Sequence, residues 1–300
     1  YGDHRDLHSS LHDALPISNT ASISGDNSVE YDTTAPGVTM EQGITQSDPA
    51  NMLPVSFNVV FSEAVDPATF TVADISQGGT ASGITWGLST SDNINWTLEA
   101  TAVASEGTLV PSIAAGAVQD PAGNNNTAST STDNSVLYDA TSPGVTLNQH
   151  AWQTDPANTL PVAFTVTFTE AIDPATFTSA DISQSGSASG ITWVLSTSDN
   201  ISWTLEASPF TNEGTLVPSI AGGAVQDPAG NSNTDSTSID NSVLYDATSP
   251  DVAIEQSVIQ DDPTRDTPIV FTAVFSEAIN PGSFTAADIT AGAGGVAGVT

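Results

Sequence analysis

The chain has no cysteine and no lysine, and its only arginines are Arg5 and Arg265. Without cysteine there are no disulfides, no thiol nucleophiles and no thiolate-held zinc. Without lysine there are no Lys–Asn isopeptide cross-links, so core packing or a bound metal must rigidify the fold. Against two arginines stand 35 acidic residues, for a net charge of −33. That balance excludes nucleic acid as a partner, because phosphate binding needs cationic side chains that displace counterions. It equally disfavours anionic membrane surfaces. No apolar run approaches the roughly 18 residues of a membrane span, so no membrane insertion is expected. Yet only 12% of residues are charged and 38% are hydrophobic, unlike a disordered acidic tail. The remainder is mostly Thr, Ser, Gly, Asn, Ala and Val, which suits strands joined by turns.

A repeat organises this composition. Tyr31, Tyr138 and Tyr245 are 107 residues apart, as are Phe61, Phe168 and Phe275, and Asp74, Asp181 and Asp288. Aligned without a gap, 32–138 and 139–245 agree at 79 of 107 positions, so the two share one fold. A truncated third copy occupies 246–300. Residues 19–31 (NTASISGDNSVEY) match 126–138 (NTASTSTDNSVLY) and read as the C-terminal strand of a preceding copy. Residues 1–18 break the phase. They hold three of the four histidines and resemble translated sequencing-adaptor text; they are expected to be a non-native, unstructured segment. A metal tract at His4, His8 and His12 is the functional alternative.

Within 32–138 the apolar residues alternate, the signature of a half-buried strand. Val55, Phe57, Val59 and Phe61 share one face; so do Ile84, Trp86 and Leu88, and Ile94, Trp96 and Leu98. Turn-forming clusters such as Gln46–Asn51 and Asp120–Asn124 separate the runs. The pattern predicts an all-β sandwich with strands A 37–43, B 53–61, C 69–75, D 84–89, E 94–101, F 107–113 and G 128–138. Trp86, Trp96, Trp193 and Trp203 are expected in the core; a stacking platform for sugars is the alternative.

At these residues a family comes into view. FSEAVDPATFTVADIS, SIAAGAVQDPAGNNNTAS and YDTTAP, with the later FTEAIDPATFTSADIS and FSEAINPGSFTAADIT, resemble the bacterial Ig-like domain repeats of large surface adhesins. The resemblance covers 19–300. It implies tandem immunoglobulin-like β-sandwich repeats used mainly as spacers in a secreted or surface-anchored bacterial protein. Neighbouring repeats of the same chain are then the immediate partners, and distal domains would meet a host or surface glycan or protein. The copies depart from one another in small ways. YDATSP replaces YDTTAP, and Asn280 stands where the others have Asp66 and Asp173.

Catalysis is not expected. Outside 1–18 the only histidine is His150, aligned with Gly43, and the Ser and Thr residues have no base to activate them. Calcium is the stronger candidate. In a seven-strand sandwich the start of strand A and the BC, DE and FG loops share one pole. That pole collects Asp32, Glu63, Asp66, Asp92, Asp120 and Asn124 in the first copy. In the second it collects Asp139, Glu170, Asp173, Asp199, Asp227 and Asn231, and in the third Asp246 and Glu277. Calcium takes six to eight oxygens from such groups. Each full copy carries 11 acidic residues and no basic one, so the pole lacks any built-in counterion. Two plainer readings remain beside calcium: Asp-Pro and Asp-x-x-Gly-Asn as turn formers, and a salt-adapted acidic surface. No EF-hand pattern is present. As to function, the alternative to a spacer is an extracellular module that binds carbohydrate or protein directly. Its best hint is Trp152 and Phe210, aromatics new to the second copy.

Overall fold

A computed structural model describes Gly25 and residues 28–290. The segment 1–18 and most of 19–27 lie outside the described residues, and with them the expectations for His4, His8 and His12. The chain sorts into two compact units. Among the described residues, one comprises those up to Gln46 with Pro54–Val136; the other comprises Ser47–Leu53 with those from Leu137 onward. The loop 47–53 joins the second unit because Ala50 donates its N–H to Leu137 O and accepts one from Asp139.

The first copy contributes β1 (Val38–Gln42), β2 (Val55–Phe61), β3 (Ile75–Gln77), β4 (Thr85–Thr90), β5 (Asn95–Ala102), β6 (Gly107–Leu109), β7 (Pro111–Ile113) and β8 (Val136–Tyr138). Four of them form an antiparallel sheet in the order β1-β2-β5-β4, and β3 pairs with β7. Alternation decides which side is buried. Val55, Phe57, Val59 and Phe61 are buried, whereas Ser56, Asn58 and Val60 are not. Register then sets Phe57 opposite Leu98 and Val59 opposite Trp96. Phe70 meets Phe61 and Trp96 edge-on, with ring centroids 5.3 and 4.9 Å apart, a geometry aromatic quadrupoles favour.

The second copy repeats the plan with β9 (Val145–Gln149), β10 (Val162–Phe168), β11 (Ile182–Gln184), β12 (Trp193–Thr197), β13 (Ser202–Ala207), β14 (Gly214–Leu216), β15 (Pro218–Ile220) and β16 (Val243–Tyr245). Its sheet order is β12-β13-β10-β9, with β11 on β15 and β14 on β16. These are strands A-B-E-D and C-F-G, the order of immunoglobulin constant-type sandwiches. One core, from Val145 to Val243, fills the space between the layers. In 246–290 the described strands are β17 (Val252–Gln256) and β18 (Phe271–Phe275), paired antiparallel.

Four local expectations are corrected. Strand C does not span 69–75: Val72–Asp74 form a 3-10 turn, and the strand follows it. The Asp74 carboxylate accepts both the N–H and the hydroxyl of Thr71, at 2.8 and 2.9 Å, a capping box that outcompetes extended backbone. Strand F breaks at Val110, whose N–H bonds the side chain of Gln77 at 2.9 Å instead of a strand. Strand G is regular only over 136–138. Its earlier part holds β1 through a parallel bridge between Thr39 and Thr130. Trp96 and Trp203 are buried, but Trp86 and Trp193 are only half-buried, because β4 and β12 are edge strands with no neighbour on one side.

Candidate metal centre

Three segments deliver carboxylates to one place in each copy. In the first, Asp32 begins the approach to β1, and its Oδ1 accepts the Thr34 N–H at 2.8 Å. Glu63 stands two residues after β2. Asp120 opens the loop between β7 and β8, which Gly123 turns at φ +91°, a left-handed conformation that suits glycine. The loop closes on itself: the Asn124 N–H donates to Asp120 Oδ1, and its side-chain amide donates to Asp120 Oδ2, both at 2.8 Å. The same amide donates to the Asp32 carbonyl at 3.2 Å. Asn124 thereby ties the arriving chain to the loop, with its nitrogen rather than its oxygen turned to the acids.

The result is a triad. One carboxylate oxygen each from Asp32, Glu63 and Asp120 lies within 4.8 Å of the others, and Asp139, Glu170 and Asp227 do the same in the second copy. Asp120 and Asp227 are almost fully buried. Asn231 repeats the brace, reaching the Asp139 carbonyl at 2.9 Å and Asp227 Oδ2 at 2.8 Å.

Electrostatics follow from this crowding. The Glu63 pKa is raised, first by burial, then by the charges of Asp32 and Asp120, and finally by a hydrogen bond shared with Asp32. Burial also opposes ionisation of Asp120. Hydrogen bonds from the Asn124 side chain and from the Asn124, Ala122 and Gly123 N–H groups outweigh it, and the Asp120 pKa is lowered. Hydrogen bonds thus favour the charge on Asp120, beside a glutamate whose charge is resisted. The donors are all oxygen, the chemistry of a hard cation such as calcium.

Not every expected residue joins the triads. Asp66 and Asp173 bond their own turns, each accepting the N–H two residues on, from Ala68 at 3.0 Å and Ala175 at 2.9 Å. Asp92 is consumed by its hairpin. The Asn95 side chain, then the Asn95 and Ile94 N–H groups, lower its pKa to about 2. Asp199 is likewise lowered, by the Ser202 and Ile201 N–H groups. In the third copy Asp246 Oδ1 accepts the Thr248 N–H at 3.2 Å. Glu277 Oε1 is shielded from water and accepts no hydrogen bond.

Some residues carry roles that alternation and turn counting did not single out. Asn126 and Asn233 are buried amides inside the loop. Asn126 accepts the Val118 N–H at 2.8 Å and donates to the Ala114 and Thr127 carbonyls. Glu41 receives the Thr132 and Asp133 N–H groups at 2.9 and 2.8 Å. A signal existed at Glu41: its counterpart is Asn148, which keeps an acceptor oxygen. Of the new aromatics, Trp152 is 59% exposed, with the His150 ring 4.6 Å away. Phe210 instead stacks on Tyr245 at 4.5 Å and packs against the core.

No helix among the described residues is long and apolar enough to cross a membrane. No protein-family model matches the chain, and no curated protein matches it. Among solved structures it overlaps the N-terminal part of the bacterial S-layer protein SbsC at 14% identity and a TM-score of 0.25, covering 71% of this chain and 44% of that one. It overlaps the endo-fucoidan hydrolase MfFcnA9 of glycoside hydrolase family 107 at 15% identity and a TM-score of 0.22, over 66% and 34% of the two chains. MfFcnA4, of the same hydrolase family, gives 12% identity and 0.22, over 73% and 34%. The chain thus spans less than half the length of each of these structures, and overlaps this slight carry no conclusion about function.

Proposed function

We propose that this chain is a run of immunoglobulin-like spacer repeats from a secreted or cell-surface bacterial protein, without catalytic activity, and that calcium bound at the head of each repeat stiffens the arriving linker. The observation that carries this reading is the duplicated triad. Asp32, Glu63 and Asp120 recur as Asp139, Glu170 and Asp227, each set bringing a linker acid against two loops of its own sandwich. A divalent cation there would offset the burial, and after it the charges of Asp32 and Asp120, that raise the Glu63 pKa. Carbonyls and water would complete the six to eight oxygens calcium takes. Asp246 and Glu277 occupy the corresponding positions of the third copy.

Calorimetric titration of the full chain with calcium tests the proposal. Saturable binding should appear, with a melting temperature that rises with calcium, because a ligand specific to the folded state stabilises by mass action. Asp227→Asn should abolish binding in the second copy while leaving the sandwich folded. Magnesium should substitute poorly, since it demands tight octahedral geometry and sheds water reluctantly. A flat titration, with sodium stabilising equally at matched ionic strength, would sink the calcium reading. Direct carbohydrate binding is the second reading, favoured by exposed Trp152 beside His150. It predicts that an oligosaccharide shifts tryptophan fluorescence in the parent chain but not in Trp152→Ala.

A further inference from the structure

The end of the second copy does not stop at its last strand. Past β16 each N–H from Asp246 to Thr248 finds an acceptor. The Asp246 N–H donates to the Ala157 carbonyl at 2.9 Å. The Ala247 N–H donates to Glu213 Oε1 at 3.1 Å, and the Thr248 hydroxyl donates to Glu213 Oε2 at 2.8 Å. The Thr248 N–H returns to Asp246 Oδ1 at 3.2 Å. Just upstream, the Leu244 N–H donates to Asp155 Oδ1 at 2.9 Å. Both oxygens of Glu213 are thus spent on two consecutive linker residues.

We infer that Glu213 is the positioning residue of the linker. It prolongs the hydrogen-bonded edge of the sandwich by two residues, so that the segment leaving β16 is an extension of the strand and not a swivel. A carboxylate suits this task because two acceptor oxygens on one side chain can hold an N–H and a hydroxyl together, and charge-assisted bonds are the stronger kind. Ala247 and Thr248 directly follow Asp246, the linker acid of the third copy, so holding them would also hold Asp246 in place for calcium. This consequence rests on the calcium reading; the grip itself does not. Glu106 stands before Ala140-Thr141 at the same spacing in the sequence one copy earlier.

Amide hydrogen exchange on the full chain, in chelator so that no metal contributes, tests the grip. Glu213→Ala should speed exchange at Ala247 about tenfold or more, as expected for loss of a bond to a charged group, while Leu244 and Asp246 keep their protection. Glu213→Gln should retain most of the protection, because its carbonyl oxygen still accepts from Ala247 and its amide can donate to the Thr248 hydroxyl. Unchanged exchange at Ala247 in Glu213→Ala would overturn the inference. So would loss of protection throughout β14 and β16, which would assign Glu213 to the strand pair instead of the linker. If calcium fails to bind and Ala247 still responds, the metal reading falls and the grip stands.

Discussion

Trp203 shows what a single side chain contributes to this fold. Its ring lies edge-on to Phe177 at 5.0 Å, and it is 6% exposed. Its indole N–H is buried with no acceptor, as is that of Trp96. The tryptophan therefore stabilises by packing alone. Trp203→Ala should cost about 3–5 kcal/mol in denaturant unfolding, whereas Trp203→Phe should cost far less, since no hydrogen bond is lost with the N–H. Equal losses for the two variants would show that the indole makes a polar contact. Glu41 supplies a second residue-scale case. Hydrogen bonds from the Thr132 N–H and then the Asp133 N–H hold its pKa below the usual value of 4.5. A lowered folded pKa means stability that is present above the unfolded value and lost as pH falls through the folded one. Asn148 performs the same grip on the Ile239 N–H at 3.0 Å without titrating. Acidification below pH 4.5 should therefore release the Asp133 amide to exchange, after correction for intrinsic rate, and spare the Asp240 amide. In Glu41→Gln the two copies should behave alike.

Short elements depend on conformations that only some residues adopt. The loop Asp120–Asn124 turns at Gly123, and Gly230 repeats it at φ +90°. A methyl group at Gly123 would meet nothing within 4 Å, so the penalty of substitution is conformational and not steric. Gly123→Ala should destabilise the first copy by about 1–2 kcal/mol and weaken calcium binding more than an equally destabilising core substitution, because Asp120 and Asn124 flank the turn. Thermal melts with and without calcium separate the two effects. The hairpins between β4 and β5 and between β12 and β13 use a different solution. Asn93 takes φ 61° and Asn200 φ 59°, which asparagine tolerates better than most residues. Asp92 and Asp199 then collect the N–H groups that follow.

For the whole chain, a net charge of −33 opposes compaction through self-repulsion. Added salt shortens the screening length to about 8 Å at physiological strength, so sodium chloride should raise the melting temperature gradually and without saturation. Calcium should act differently, saturating at low concentration. In the double variant Glu63→Gln, Glu170→Gln the calcium increment should vanish while the sodium effect persists. Loss of both together, or of neither, would mean that calcium acts only through the general acidic surface.

Much of this was readable from the residues alone. Period-two alternation determined the buried faces of β2 and β5, since side chains on a strand can point only two ways. Repetition at 107 residues determined that the second copy would have the first copy's plan. The acids of the pole were also legible by type, as was their placement on the linker and the loops after strands B and F. What only the tertiary structure decided was which acids converge. Asp66 and Asp120 each precede a proline in a turn, yet Asp66 satisfies its own backbone while Asp120 is buried against Asp32 and Glu63. Local sequence does not distinguish them, because the difference arises from Asn124 reaching a carbonyl 92 residues away. The grip of Glu213 on a linker 34 residues later was hidden for the same reason: hydrogen bonds between distant segments leave no period in the sequence.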